Sequence, residues 1–252
     1  MKIRFSGHTT KSLLPVLVVV ALFLVPVIVD GQSPQHLSKR FPADKKVHIE
    51  LRNIFGTITV ESWDRPEVRL SATMDSPKAQ VNPRQVEQTL VIDVMGDNRG
   101  RGDVGDVNFK LQVPFEASVD LETKRGNIFV SNLRGGSVRA HVSTEGDIEL
   151  TNITAMQVIA SNTIGNITFE GEFSRGGTYE FKSNRGDIAI RIPADSAFRL
   201  VVASPAKKVN FGQFWNDGFK TQDGRRYFGD VGDGRSSVSV TNFSGAITFL
   251  RR

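Results

Sequence analysis

Ser143-Thr144-Glu145-Gly146-Asp147-Ile148-Glu149-Leu150 sets a small polar residue three before a glycine and begins an Ile-x-apolar pair two after it. The same phrase returns at Thr123–Val130, Asn162–Phe169 and Ser183–Ile190, and more weakly at Asn53–Val60 and Asn242–Phe249. Gly126, Gly146, Gly165 and Gly186 are spaced by 20, 19 and 21 residues. A repeat of this length marks a solenoid, whose units bury their apolar faces only against one another. The phrase therefore predicts an all-β, single-domain parallel β-solenoid with coils of about 20 residues and a right-handed course.

Around the phrase, apolar and polar residues alternate as on half-buried strands. Ile128 and Val130 lead through a corner at 133–136 to Val138, Ala140 and Val142. Ile148 and Leu150 go with Val158 and Ala160, Ile167 and Phe169 with Tyr179 and Phe181, and Ile188 and Ile190 with Phe198, Leu200 and Val202. These point inward, and alternate residues such as Asp147, Glu149, Arg139 and His141 point outward. Gly56, Gly126, Gly146, Gly165, Gly186 and Gly245 are read as arc glycines, where the chain turns sharply or closely approaches the next coil. Asn53, Thr123, Ser143, Asn162, Ser183 and Asn242, each three before such a glycine, are placed to bond the arc backbone. Asn127, Asp147, Asn166 and Asp187, each one after, are expected to form an outward structural stack from coil to coil.

Upstream, Val47–Leu51 alternates, Ile58 and Val60 continue on one face, Trp63-Asp64-Arg65-Pro66 makes a corner, and Val68, Leu70 and Ala72 alternate inward. Residues 75–87 read as a loop or short helical turn, 90–94 as a strand, and 96–106 as a mobile loop of glycine and charge. Val107, Phe109, Leu111 and Val113 form a strand that stops at Pro114, which has no N–H for a ladder. Beyond Ser204, Phe211, Phe214, Trp215, Phe219, Tyr227 and Phe228 interrupt the period. Residues 207–235 are read as an aromatic cap or insertion over the solenoid end, and these six aromatics are the candidate binding surface should they be exposed.

The 252 residues include no cysteine and 4 histidines. That excludes disulfide scaffolds, thiolate metal sites and cysteine nucleophiles, and neither a metal site nor a cofactor is expected. Lys2, Arg4 and Lys11 precede an apolar run from Leu13 to Val29 that contains Pro15 and Pro26, and Val29 and Gly31 are small. Residues 1–31 are read as a secretory signal cut before Gln32, the alternative being an uncleaved anchor. No cysteine follows the run to carry a lipid. Cleavage would remove three Lys or Arg and one Asp, taking the net charge from +5 to +3. Such a mild, dispersed charge does not point to nucleic acid. Residues 32–46 are read as a flexible leader and 47–252 as the solenoid domain.

With the strands in place, the chain resembles the bacterial "putative adhesin" family of exported domains, related to the auto-transporter adhesin-like head GIN domains. The likeness rests on Phe109-Lys110-Leu111-Gln112-Val113-Pro114, the four serial glycine phrases, Ile188-Ala189-Ile190-Arg191-Ile192-Pro193 and Asn242-Phe243-Ser244-Gly245-Ala246-Ile247, and covers about Val47 to Arg252. It implies a surface or envelope role and brings no catalytic residues.

Asp147 and Glu149 share an outward face with Asp187 two coils along, so a polysaccharide-acting enzyme using paired carboxylates is the sharpest alternative. His48 and His141 have no Ser, Asp or metal-ligand partner nearby in sequence. Arg101-Gly102-Asp103 and Arg185-Gly186-Asp187 match a receptor-read tripeptide, and Gly229–Gly234 and the loop near Asp103 have oxygens for calcium without its full spacing. Asn152, Asn166 and Asn242 begin glycosylation sequons. The expectation is an exported, non-enzymatic binding or scaffold module of the cell envelope or surface. Its partner would be an envelope component, surface protein or glycan, with membrane contact only through an uncleaved signal. A third reading is an accessory protein of envelope-stress signalling.

Overall fold

The computed structural model describes residues 1–2 and 34–252; the apolar segment read as a signal lies outside them. Among the described residues no helix is long and apolar enough to cross a membrane.

The chain begins with β1 (Gln35–Pro42), β2 (His48–Phe55), β3 (Ile58–Trp63), β4 (Glu67–Met74), β5 (Arg84–Val86) and β6 (Thr89–Asp93), then one helical turn, α1 (Val94–Asp97), and β7 (Val107–Pro114). Its regular middle is β8 (Ser118–Arg125), β9 (Ile128–Ser131), β10 (Ser137–Glu145), β11 (Ile148–Ile153), β12 (Gln157–Ile164), β13 (Ile167–Gly171), β14 (Thr178–Arg185) and β15 (Ile188–Ile192). There follow β16 (Phe198–Ala203), β17 (Val209–Asn210), a 3-10 turn (Gly212–Phe214), β18 (Lys220–Gln222), β19 (Arg226–Val231), β20 (Ser237–Asn242) and β21 (Ile247–Arg251).

The strands form two sheets, ordered β1-β4-β7-β3-β9-β11-β13-β15-β21-β17 and β18-β19-β16-β20-β14-β12-β10-β8-β2-β6-β5. In the middle each coil contributes one strand to each sheet, in parallel register: Val138 lies beside Val158, and Val158 beside Tyr179. The predicted inward residues, from Ile128 to Val202, are all buried. Side-chain volume is traded between neighbours, as close packing requires. Ala140 and Ala160 precede Phe181 in one inward row, and Phe169 packs against Phe181 with ring centroids 5.2 Å apart. Tyr179 is fully buried, and its hydroxyl is satisfied: it donates to the Ala155 carbonyl at 2.7 Å and accepts from the Ser174 amide at 2.6 Å.

Spatial order departs from chain order at both ends. The first coil, β2–β3, sits between β6–β7 and β8–β9, and the last coil, β20–β21, sits between β14–β15 and β16–β17. Each end also turns antiparallel. β4 pairs with β7 and β1 with β4, while β19 pairs with β16 and β18 with β19. A purely parallel, serial stack is thus correct only for the middle.

Three local expectations are corrected. Residues 35–42, expected as flexible leader, form β1 along the full length of β4, with Phe41 and Leu37 packed on the core. Within 75–87, β5 closes a hairpin on β6. The loop from 96 starts inside α1, whose first turn is capped by the Asp93 carboxylate accepting from the Gly96 amide at 2.9 Å.

Candidate functional site

Where the first sheet strand of each coil passes to the second, the glycines stand in a column. A Cβ on Gly146 would lie 2.6 Å from the carbonyl carbon of Gly126, and one on Gly186 would lie 2.5 Å from that of Gly165. Gly146 and Gly186 have φ of +154° and +130°. A Cβ on Gly245 would lie 2.6 Å from the carbonyl carbon of Gly186, though Gly245 has no positive φ, so close approach of successive coils is the constraint common to the column. Gly56 abuts Val107 and is itself abutted by Gly126, consistent with the insertion of the first coil.

The residues after the glycines form a ladder that is not amide on amide. Each side-chain oxygen accepts from the backbone N–H of the next coil: Asn127 from Asp147 at 2.9 Å, Asp147 from Asn166 at 2.7 Å, Asn166 from Asp187 at 2.9 Å, and Asp187 from Ala246 at 2.8 Å. Only an acceptor is needed, which is why Asp and Asn alternate freely. Of the polar residues three before the glycines, all but the half-buried Ser143 are buried. Asn162 donates to the Gly146 carbonyl at 3.1 Å, Ser183 to that of Gly165 at 3.3 Å and Asn242 to that of Gly186 at 2.8 Å.

These bonds bear on the carboxylates considered for catalysis. Asp147 and Asp187 are ladder members, and Glu149 has Phe129 and Thr168, not a second acid, as its register neighbours. His141 does have a partner: its Nδ1 lies 2.8 Å from Ser161 Oγ on the next coil, with Glu122 beside it on the other. A spacing of 20 residues, one coil, was the available signal. The row lies on the outer face of a sheet rather than in a cleft.

Among the remaining motifs, Arg101–Asp103 is exposed in a loop, while the second such tripeptide is locked in the arc by Gly186. Asp230 pairs with Arg199 at 2.9 Å and Asp233 with Arg235, so the carboxylates of the Gly229–Gly234 loop are engaged by arginines, while Asp103 accepts from the Gly105 amide at 2.9 Å. Hydrogen bonding by the Arg199 guanidinium holds the Asp230 carboxyl below its ordinary value. Asn242 is fully buried and unavailable for glycosylation in the folded chain.

The aromatic segment divides. Phe211, Phe214 and Phe219 are buried, which removes them from the candidate binding surface. Phe211 stacks on Phe249 of the last coil at 5.8 Å and meets Phe219 at 5.1 Å and the half-buried Tyr227 at 5.2 Å. Trp215 and Phe228 remain exposed, at 49% and 44%, Phe228 beside Val201 in register.

A second feature lies at the opposite end. The connection from β3 to β4 must cross the end of β7, because β7 lies between them in the sheet. Trp63 is therefore opposite Pro114, and residues 63–66 arch over the turn that follows. Trp63 Nε1 closes the arch by donating to the Glu67 carbonyl at 2.9 Å. Between arch and turn is a cleft of about 230 Å³ walled by Trp63, Pro66, Pro114 and Phe115 and rimmed by Lys45, Asp64, Arg65 and Glu116. Arg65 lies 5.0 Å from the Trp63 ring centre and Arg134 5.1 Å from that of Phe115. The sequence shows this corner as a corner only, since the crossing depends on where β7 inserts.

A family model described as Toastrack DUF4097 matches residues 99–249. No curated protein matches the chain. Among solved structures, a "putative cell adhesion protein" of Clostridium sporogenes is 13% identical, covers 87% of this chain and 100% of its own, and superposes with a TM-score of 0.52. A "putative adhesin" of Bacteroides fragilis is 11% identical over 86% of this chain and 97% of its own, with a TM-score of 0.46. A "putative lipid binding protein" of Parabacteroides distasonis is 14% identical over 87% and 97%, with a TM-score of 0.34.

Proposed function

The chain belongs to the Toastrack DUF4097 family, and from that premise we propose that it is an exported, non-enzymatic module that binds or organises a component of the cell envelope or surface. One observation carries this reading. The polar residues that the repeat supplies most regularly, Asn127, Asp147, Asn166 and Asp187, are bonded to the backbone of the next coil. The repeat builds a scaffold, and the accessible aromatic groups include Trp215 and Phe228 in the C-terminal insertion and Phe243 beside the arc of the last coil.

In the finer form of this reading, coils of about 20 residues wind right-handed, as crossovers between parallel strands overwhelmingly do. Residues 1–31 direct export and are removed before Gln32. The cell-adhesion description of the Clostridium protein that shares the fold agrees with a surface role.

The test is retention of purified residues 32–252 on washed bacterial envelopes, together with a glycan array. Saturable retention is expected. A chain that stays in solution with every envelope preparation and array glycan overturns the reading.

A further inference from the structure

The geometry points to the cleft between Trp63 and Phe115 as a subsite for a single sugar residue. This deepens the binding reading above and rests on it.

Its walls and rim ask for an amphipathic ligand. Trp63, Phe115 and two prolines supply apolar surface, while Lys45, Asp64, Arg65 and Glu116 place two cations and two carboxylates around it. Among the described residues, Lys45, Asp64 and Glu116 make no ion pair within 4.0 Å, and Arg65 reaches only Glu67 at 3.9 Å. A wholly apolar ligand would desolvate these charges without replacing their hydrogen bonds. A phosphate or sulfate would meet two carboxylates. A pyranose suits both parts: its C–H surface lies on the aromatic and proline walls, and its hydroxyls donate to Asp64 and Glu116 and accept from Lys45 and Arg65 in charge-assisted bonds.

The size agrees. At about 230 Å³ the cleft falls below the roughly 300–1,000 Å³ of pockets for drug-sized ligands, so it takes one ring rather than a chain segment. It is also preorganised. Trp63 is fixed by its bond to the Glu67 carbonyl, Arg69 as well as Arg65 packs against its ring, and Arg134 packs on Phe115. The two aromatic walls therefore have little side-chain freedom left to lose on binding.

The protein contains 2 tryptophans, so Trp215→Phe leaves Trp63 as the sole indole reporter. Residues 32–252 carrying that change are titrated with cellobiose, N,N′-diacetylchitobiose and maltose to about 50 mM, well past the millimolar Kd expected of a one-ring site. The expected result is a saturable change in Trp63 emission with at least one disaccharide. Asp64→Asn with Glu116→Gln should weaken it at least about fivefold, with an unchanged circular-dichroism spectrum and melting temperature. A flat response to all three sugars overturns the inference, as does an equal response in the carboxylate variant. A stronger response to inorganic sulfate or phosphate would make it an anion site and overturns it too. Retention on envelopes with a silent Trp63 overturns the cleft assignment alone and leaves the binding reading standing.

Discussion

Asp187 Oδ1 accepts a hydrogen bond from the backbone N–H of Ala246 at 2.8 Å, although the two residues are 59 apart in the chain. Between them the chain builds β16 to β19, then returns to lay its last coil against β14–β15. The bond has the same form as the one Asp147 makes to Asn166, 19 residues on. Spatial neighbours, not sequence neighbours, continue the ladder.

The role of that ladder is separable from charge. Asp187→Asn keeps the acceptor and should alter stability by less than about 0.5 kcal/mol. Asp187→Ala leaves the Ala246 amide without it and should cost about 0.5–1.5 kcal/mol. Urea unfolding of both variants measures this, and equal losses would show that the carboxylate charge, rather than the acceptor, matters.

At the arc, Gly146→Val drives a side chain into the Gly126 carbonyl group. The loss should exceed about 3 kcal/mol, a fall in Tm of roughly 6–12 °C for a domain of this size. An unchanged Tm would remove close approach as the reason for the glycine column.

The aromatic end should answer unequally. Phe211→Ala opens a cavity against Phe249 and Phe219 and should cost about 3–5 kcal/mol, whereas exposed Trp215→Ala should change stability by less than about 1 kcal/mol. Thermal melts of the two variants decide whether this segment is a cap with an exposed rim.

Asp230 gives a pH-dependent reading of the same hairpin. Its folded value is lowered by the Arg199 hydrogen bond, so the pair contributes above the ordinary carboxylate range and is lost as pH falls through the lowered folded value. Both groups are largely exposed, so the effect on global stability is small. Carboxyl NMR should show Asp230 titrating at lower pH than a free aspartate, and Arg199→Gln should move it back up.

The regular middle was legible because period, alternation and glycine all point to the same stack. Ile148, Leu150, Val158 and Ala160 are buried as their alternation requires. The ends were not, because local pattern carries no record of which coil lies next to which. Val47–Leu51 reads as a strand wherever it docks, and only the register of Ile49 with both Leu90 and Val119 shows the first coil as an insert. The cleft at Trp63 was hidden for the same reason, since it exists only once β7 has entered between β3 and β4. The aromatic run was legible as apolar but not as divided, for Phe214 and Trp215 differ in burial though adjacent in sequence.

The most direct test of a binding scaffold against a polysaccharide-acting enzyme measures bound protein and newly formed reducing ends together, on purified envelope polysaccharide with residues 32–252. A binding scaffold should show saturable binding, no increase in reducing ends with time, and the same behaviour from Asp147→Asn and Glu149→Gln. Reducing ends that accumulate with the unaltered protein and vanish in those two variants would contradict that reading.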